Sequence, residues 1–271
     1  MCGLKGSNIH YLFSKYCPRL LPRVNSVFQK TSNINLGYKD DDEDDEIIKD
    51  LSEDLRGFTF LGDVNKKSDP DLRDVFRYSK KRGISKNKLW RYRLGACVEV
   101  RMRRRLIIPS FDSEGNLNYY AAREIDGTSR MKYINAPIPK KEIVFNEFMI
   151  DWDQPITLVE GPLDVISAGQ NAVCLLGSHL AYDSRLFRKI VENETATYIA
   201  LDADAHDKSE KISKMLTSFG IDVKEVRLPI DQDVSDLGES AFQDLRATAT
   251  NWSKENSLLR MIASMKSGSL F

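Results

Sequence analysis

The stretch ITLVEGPLD (156–164) decides the fold, because a short apolar run ends there in an acidic residue and a Gly-Pro step follows it. An apolar run of this length, closed by glycine and proline, is typical of a buried strand. Proline is favoured in the first turn of a helix, so Pro162 predicts that a helix begins there. The sequence therefore predicts a strand, a tight turn and a helix, with Glu160 at the end of the strand.

The same pattern continues towards the C-terminus. Further apolar runs, AVCLLG (172–177), TYIALD (197–202) and VKEVRLP (223–229), alternate with helical stretches. In one of these stretches, residues 208–219, apolar side chains recur at helical spacing. Strands that alternate with helices predict an α/β layer with a mostly parallel sheet.

Acidic residues follow three of the predicted strands directly. Glu160 and Asp164 follow the first, Asp202 and Asp204 follow TYIAL, and the segment DQDVSD (231–236) follows VRLP. In open α/β sheets ligands collect at the carboxyl ends of the strands, so we expect these side chains at one edge. Mg²⁺ and Mn²⁺ prefer oxygen ligands, and two such ions about 4 Å apart can stabilise both oxygens of a phosphoryl displacement. An Asp-x-Asp pair alone at the end of a strand is more often a helix cap or a solvated turn, so the prediction depends on the combined spacing.

The region before these strands is strongly basic. Residues 77–105 contain twelve Lys or Arg and one acidic residue, and the rings of Tyr78, Trp90 and Tyr92 lie among them. Cations neutralise phosphates and rings stack on bases, which favours a groove for single-stranded DNA. The alternative is a solvated basic helix face. Two β-type runs around a Ser-Glu-Gly turn then predict a hairpin over residues 105–124.

The overall composition is that of a soluble protein with an uneven distribution of charge. The chain has 271 residues, and its 40 basic and 40 acidic side chains balance to a net charge of zero. Seven consecutive acidic residues (40–46) are typical of a disordered linker. Four scattered cysteines do not suggest a disulfide framework, and neither a membrane-spanning run nor a signal-peptide pattern is present. We expect a cytoplasmic protein, in the host cytoplasm if it is phage-encoded, with no membrane partner.

The acidic motifs resemble a known signature. Glu-Gly-x-x-Asp after a strand, then LLGS (175–178), then Asp-x-Asp after another strand is similar to the TOPRIM pattern. The resemblance implies that Glu160, Asp202 and Asp204 are catalytic and that they hold a divalent metal. The supporting positions that it implies are Gly161, Asp164, Gly177 and Asp236.

Four ordered segments narrow the resemblance to the catalytic core of DnaG-type primases, in the short form of tailed phages. They are YSKKRGISKNKLWRYRLG (78–95), RRRLIIPSFDSEGNLNYYAARE (103–124), MKYINAP (131–137) and DQDVSDLG (231–238). The resemblance implies an α+β basal subdomain followed by a TOPRIM-type parallel sheet flanked by helices. It implies synthesis of short RNA primers with Mg²⁺ or Mn²⁺, and it implies a single-stranded DNA template, ribonucleoside triphosphates and a replicative helicase as partners.

The primase resemblance also extends the predicted site. It adds Asp233 as a metal ligand; Ser235 stands where an aspartate is common, so we expect Asp233 rather than Asp236 to bind metal. The residues expected to contact nucleotide or DNA are Lys81, Arg82, Arg103, Arg105, Arg123, Lys132 and Tyr133. We do not expect zinc binding, because Cys2, His10 and Cys17 lack the close pairs of a zinc ribbon.

The predicted organisation has five parts. They are a remnant of a lost zinc ribbon (1–35), an acidic linker (36–56), a basic primase-type subdomain (57–150), a TOPRIM metal-binding domain (151–240) and a C-terminal helical tail (241–271). A helicase contact within residues 250–271 is a hypothesis from position and amphipathic pattern. Two alternatives to primer synthesis stay open: a TOPRIM-type nuclease, and a non-catalytic DNA-binding remnant of a primase.

Overall fold

The structure is a computed structural model that describes residues 51–253 and Glu255. The predicted zinc-ribbon remnant, with Cys2, His10 and Cys17, lies outside the described residues, as do most of the acidic linker and the end of the C-terminal tail. No described helix is both long enough and apolar enough to cross a membrane.

The first half of the described chain forms an antiparallel sheet with helices packed beside it. The strands occur in the order β1-β2-β3-β4-β5, so each pairs with its neighbour in sequence. Their bounds are Thr59–Phe60 (β1), Gly95–Ala96 (β2), Arg105–Phe111 (β3), Leu117–Glu124 (β4) and Tyr133–Asn135 (β5). The helices are Leu51–Asp54 (α1), Pro70–Lys81 (α2) and Lys86–Arg91 (α3), and short 3₁₀ turns span Leu61–Asp63, Lys140–Glu142 and Glu147–Met149.

The predicted hairpin over residues 105–124 is confirmed. Strands β3 and β4 pair from Arg105 with Glu124 to Phe111 with Leu117. The turn closes because one oxygen of Asp112 accepts hydrogen bonds from the backbone nitrogens of Glu114 and Asn116, each at 2.9 Å. The hairpin is thus fixed by local turn chemistry.

The second half forms the predicted α/β layer, which confirms the fold class. Its sheet has the order β10-β9-β8-β6-β7, and only the edge strand β10 is antiparallel to its neighbour. The strands are Ile156–Val159 (β6), Ala172–Cys174 (β7), Thr197–Ile199 (β8), Val223–Glu225 (β9) and Thr250–Asn251 (β10). The helices are Pro162–Ala168 (α4), Arg185–Glu192 (α5), His206–Ser218 (α6), Val234–Leu237 (α7) and Glu239–Ala247 (α8), and a 3₁₀ turn spans Ala203–Ala205.

Two details differ from the sequence-based expectation. The strands are shorter than the apolar runs: β8 ends at Ile199, and the buried residues Ala200 and Leu201 lie beyond its end, although the backbone nitrogen of Ala200 still donates to the oxygen of Leu158 in β6 at 2.9 Å. Within the predicted C-terminal helical tail (241–271), Thr250–Asn251 forms a short strand that pairs with β9 and covers its edge.

One apolar core connects the two sheets. Tyr119 and Ile107 from the first sheet belong to the same buried region as Leu163 of α4 and Phe242 of α8. A second buried cluster covers the other face of the parallel sheet, beneath α5 and α6. The two halves therefore share one core, and residues at the carboxyl edge of β6 line the same cleft as residues of β4 and β5. Cys97 and Cys174 are free and buried, as expected of small apolar core residues.

Much of the basic segment is used inside the fold. Arg104 donates to Asp71 at 2.7 Å, to Asp74 at 2.9 Å and to both oxygens of Asp126. Arg103 donates to the other oxygen of Asp71. The cations of this loop thus hold β3 against α2, and they are not a free row of charges.

Two members of the predicted groove are buried. Arg105 is 6% exposed, and its guanidinium donates to the backbone oxygens of Ala122 and Met131. Tyr92 is 3% exposed, and its hydroxyl donates to the backbone oxygen of Gly169 at 3.1 Å. The interpretation of Tyr92 as a base-stacking ring is wrong, because its side chain is part of the shared core.

Replacing Asp71 with Asn should lower the free energy of unfolding by about 2 kcal/mol at pH 7, because hydrogen bonds to charged groups contribute roughly 1.5–3 kcal/mol. The hydrogen bond from Arg104, followed by the contact with Arg103, holds the pKa of Asp71 below its ordinary value. The contribution is therefore complete above the unfolded-state pKa and is lost as the pH falls through the folded-state pKa.

Urea unfolding followed by circular dichroism at neutral and acidic pH measures this effect. The difference between wild type and Asp71→Asn should shrink below about pH 4. The exposed Asp63→Asn is the matched control. Equal stability of the two variants at pH 7 would contradict the prediction.

Candidate active site

The three predicted acidic segments meet around one cleft of about 390 Å³, between the two sheets. One wall is the carboxyl edge of the parallel sheet, and the other is formed by β4 and β5. The acidic wall contains Glu160, Asp164, Asp202, Asp233 and Asp236. The opposite wall contains Arg123, Lys132, Tyr133, Asn135 and the buried Tyr119, and Arg82 also lines the cleft.

Asp164 fixes the geometry of the acidic wall. One carboxylate oxygen accepts a hydrogen bond from the backbone nitrogen of Gly161 at 3.0 Å, which closes the turn after β6. The other oxygen accepts from the backbone nitrogen of Ser235 at 3.2 Å. Burial, followed by the charge of Asp233, raises the pKa of Asp164 to about 7. Asp164 therefore joins two acidic turns through its hydrogen bonds.

Asp202 lies where the charges converge. Burial raises the pKa of Asp202 to about 6, and the charges of Glu160, Asp233 and Asp204 add to the increase, in that order. The positive charge of Lys208 acts in the opposite direction and lowers the pKa of Asp202. Like charges brought together without enough solvent disfavour ionisation, and a bound cation relieves that cost.

Glu160 is paired with a lysine that the sequence-based prediction did not include. The ammonium of Lys208, in the first turn of α6, lies 2.5 Å from one carboxylate oxygen of Glu160. Lys208 could have been predicted from the sequence only if the start of α6 at His206 had been known, because that start determines that the side chain faces β6.

The third acidic segment is held by its own turn and by the basic subdomain. Asp233 caps α7: one of its oxygens accepts from the backbone nitrogen of Asp236 at 2.8 Å and from the hydroxyl of Ser235 at 2.7 Å. Arg82, just after α2, reaches across to Ser235 at 3.3 Å and to Asp236 at 3.5 Å. Ser235, at a position where an aspartate was expected, thus supports Asp233 instead of adding a charge.

The opposite wall offers cations and unsatisfied polar atoms. The guanidinium of Arg123 lies 4.9 Å from the ring centre of Tyr133, and burial raises the pKa of that tyrosine to about 12. Among the described residues, neither the hydroxyl of Tyr119 nor Nε of Arg123 has a hydrogen-bond partner, although both atoms are buried. Buried polar groups are normally satisfied, so this wall fits a polar ligand such as a nucleotide phosphate.

Asp204 and three predicted nucleic-acid contacts do not line this cleft. Asp204 is exposed and lines a second cleft of about 730 Å³ beneath α6, on the other side of the Asp-x-Asp turn. Lys81 is exposed at the end of α2, Arg103 is paired with Asp71, and Arg105 is buried behind the hairpin. The structure therefore groups Arg82, Arg123, Lys132 and Tyr133 with the acidic wall and leaves the other three apart.

The donor set fits a hard divalent cation, although the ligands are not drawn together. In the part of the chain that the structure describes, no three His, Cys, Asp or Glu side chains form a ready-made metal cluster. The carboxylates share one cleft and act on each other's ionisation, and carboxylate oxygens are the ligands that Mg²⁺ and Mn²⁺ prefer. Glu160, Asp202 and Asp233 could hold such an ion, with Asp204 reaching it from the turn.

Curated proteins similar to this chain are DNA primases, while no protein-family model matches it. The DNA primase of Clostridium acetobutylicum is 27% identical over 203 residues, which are 67% of this chain and 33% of that protein. The DNA primase of Mycoplasma pneumoniae is 30% identical over 152 residues, which are 52% of this chain and 23% of that protein. The chain thus matches about a third or less of the length of these relatives.

Solved structures show the same fold. The E. coli primase catalytic core superimposes with a TM-score of 0.59 at 20% identity, covering 71% of this chain and 79% of that one. A DnaG primase catalytic domain bound to ssDNA gives a TM-score of 0.58 at 17% identity, covering 85% of this chain and 80% of that one. The resemblance to a DnaG-type primase core is confirmed.

The raised pKa values of Asp164 and Asp202 predict a pH dependence of stability in the presence of a chelator. The folded state keeps protons that the unfolded chain has released, so these groups make the protein less stable as the pH rises from about 4 to about 7. Asp202→Asn removes one of them and should gain stability relative to wild type across this window. Solvent screening of the partly exposed Asp202 limits the gain to about 1–2 kcal/mol.

Thermal unfolding in EDTA, at several values between about pH 4.5 and pH 7.5, measures this gain. Asp207→Asn is the control, because Asp207 is exposed in the first turn of α6 and does not line the acidic cleft. A gain for Asp202→Asn that does not change with pH would rule out charge repulsion as its cause.

Proposed function

We propose that this chain is the catalytic core of a primase, which joins ribonucleoside triphosphates into short RNA primers on single-stranded DNA in the cytoplasm. One observation carries the proposal: an acidic wall suited to divalent cations and a cationic wall with unsatisfied polar atoms face each other across one cleft. A growing primer end and an incoming triphosphate need both kinds of wall at once.

Each wall has a separate part in the proposed reaction. Divalent cations bound by the carboxylates would supply Lewis-acid stabilisation of the attacking and leaving oxygens. Arg123 and Lys132 would bind the triphosphate, because guanidinium and ammonium groups pair with phosphate oxygens. Tyr133 would support Arg123 through its ring. Arg82 would hold the α7 turn, and with it Asp233, against the basic subdomain.

The nuclease alternative shares the acidic wall but has less use for the opposite one. Cutting a strand requires metal-bound carboxylates and a water, whereas joining nucleotides also requires a triphosphate site. Tyr119, Arg123, Lys132 and Tyr133 form such a polar wall across from the carboxylates. The relatives named DNA primase also favour joining. The non-catalytic remnant is the weaker alternative, because Glu160, Asp202 and Asp233 all line the cleft.

Primer synthesis from labelled ribonucleotides, single-stranded DNA and Mg²⁺ or Mn²⁺ tests the proposal. Asp202→Asn should reduce the initial rate at least about 100-fold, because one carboxylate at the convergence of charges is lost. Asp222→Asn should keep a near wild-type rate, because Asp222 is exposed and lines neither of the two clefts. Nicked template without primer products would favour the nuclease, and no reaction with wild type, with or without a replicative helicase, would refute the enzyme proposal for this chain.

Single-stranded DNA would approach the cleft over cations that are not used inside the fold. Among the described residues, Lys81, Lys86 and Arg93 are exposed and have no acidic partner, unlike Arg103 and Arg104. We infer that the template contacts the end of α2 and the start of α3. Residues 250–271 stay a proposed helicase contact, and all but the first few of them lie outside the described residues.

A comparison of DNA binding by Lys81→Ala and Arg103→Ala should show whether cations without an acidic partner contribute more to template affinity than paired ones. Each phosphate contact to a single strand contributes about 0.7 to the slope of log affinity against log salt. Lys81→Ala should reduce that slope by about 0.7 and Arg103→Ala by much less, because Asp71 already neutralises Arg103. Fluorescence anisotropy over a salt series measures both slopes. A larger loss for Arg103→Ala would reverse the assignment of the template path.

A further inference from the structure

Lys208 lies between the two clefts at the carboxyl edge of the parallel sheet. Its ammonium contacts Glu160, which is part of the acidic wall, while the same residue lines the second cleft with Asp204 and Lys211. The side chains of Lys208 and Glu160 are 24% and 28% exposed, so the pair is partly shielded from solvent. The contact joins residues that are 48 positions apart in sequence, which distinguishes it from an incidental pairing within one helix.

We propose that Lys208 is a built-in counter-cation of Glu160, which occupies this carboxylate until a divalent cation binds and then moves into the second cleft. This inference rests on the proposed function, because it takes Glu160 as a metal ligand. It adds a positioning residue and a mechanism for metal exchange that the acidic residues alone do not provide.

The energetics of the pair favour a replaceable partner. Partly exposed ion pairs contribute little net stability, because desolvation and side-chain ordering offset most of the Coulomb attraction. A divalent cation carries twice the charge of an ammonium and therefore displaces it from the same carboxylate at sufficient concentration. Lysine has a flexible four-carbon stem, so its ammonium can leave without moving the helix.

The second cleft gives the displaced ammonium a place to go. It has a volume of about 730 Å³, and the exposed carboxylate of Asp207 lines it and can accept the ammonium after it leaves Glu160. Lys208 is also close enough to influence Asp202: the charge of Glu160 raises the pKa of Asp202, and the charge of Lys208 lowers it. Withdrawal of Lys208 would therefore return the full negative charge of the acidic wall to the incoming metal.

The neighbouring lysines of α6 provide matched controls. Lys211 lines the same second cleft one turn later and is exposed, without an ion pair to a described residue. Lys214 pairs with Glu210 on the same helix. Removing the charge of Lys211 thus tests a general change in net charge, whereas removing that of Lys208 also removes the competitor.

Isothermal titration of Mn²⁺ into metal-free protein measures the effect without any catalytic step. Lys208→Met should bind Mn²⁺ roughly tenfold more tightly than wild type, since a positive charge within contact distance of a ligand is lost. Lys211→Met should change the dissociation constant by no more than about twofold, because an exposed charge is screened. Lys208→Arg keeps the charge and should stay within about threefold of wild type. Circular dichroism confirms that each variant is folded.

A second readout follows the ammonium itself. In ¹⁵N-resolved spectra, the side-chain resonance of Lys208, assigned from Lys208→Arg, should shift as Mg²⁺ is added, while that of Lys214 should not. Equal Mn²⁺ affinities for wild type and Lys208→Met, or weaker binding by the variant, would overturn the role of Lys208 even if wild type makes primers. Absence of Mn²⁺ binding by both proteins, together with absence of primers, would overturn the proposed function and this inference together.

Discussion

The concentration of carboxylates in one partly buried cleft is the constraint on which the rest of this structure depends. Parallel strands end at a common edge, so the acidic residues that follow β6 and β8 come together by topology alone. Repulsion among them is then contained by specific donors: backbone nitrogens on Asp164, the ammonium of Lys208 on Glu160, and Arg82 beside Asp236. Without these partners the folded state would carry uncompensated charge at its centre.

The cleft also needs a second wall, and the shared core supplies it. Tyr119 on β4 is buried with apolar residues of α4 and α8, so the hairpin cannot shift without exposing core surface. Arg123 projects from the same face of β4 as Tyr119, and its cross-strand partner Tyr133 on β5 lines the same cleft as the carboxylates. Hydrophobic packing thus determines the positions of Arg123 and Lys132 in the cleft. The charged groups do not have to hold the two sheets together on their own.

Sequence patterns were sufficient where the physics is local. The strand, turn and helix at residues 156–164 and the hairpin at 105–124 follow from apolar runs, turn residues and proline preference, and both are present. The approach of the three acidic turns followed from the parallel topology. The pairs made by Lys208 and Arg103 could not be predicted, because they join residues 48 and 32 positions apart whose meeting depends on packing. The lengths of the strands were also not predictable from the apolar runs, because β8 ends at Ile199 while the apolar run continues to Leu201.

The same distinction between local and tertiary effects explains why charge counts alone mislead in this protein. The basic segment 77–105 suggests a continuous cationic groove, yet Arg103 and Arg104 neutralise carboxylates of α2 and Arg105 is enclosed by backbone oxygens. The charge that remains for a template is smaller and lies at the junction of α2 and α3. Binding there should be correspondingly sensitive to individual residues, because each free cation represents a large part of the available attraction. Within this segment, the cations proposed to contact the template are those that folding leaves without an acidic partner, whereas Arg82 is proposed to act through its contact with Asp236.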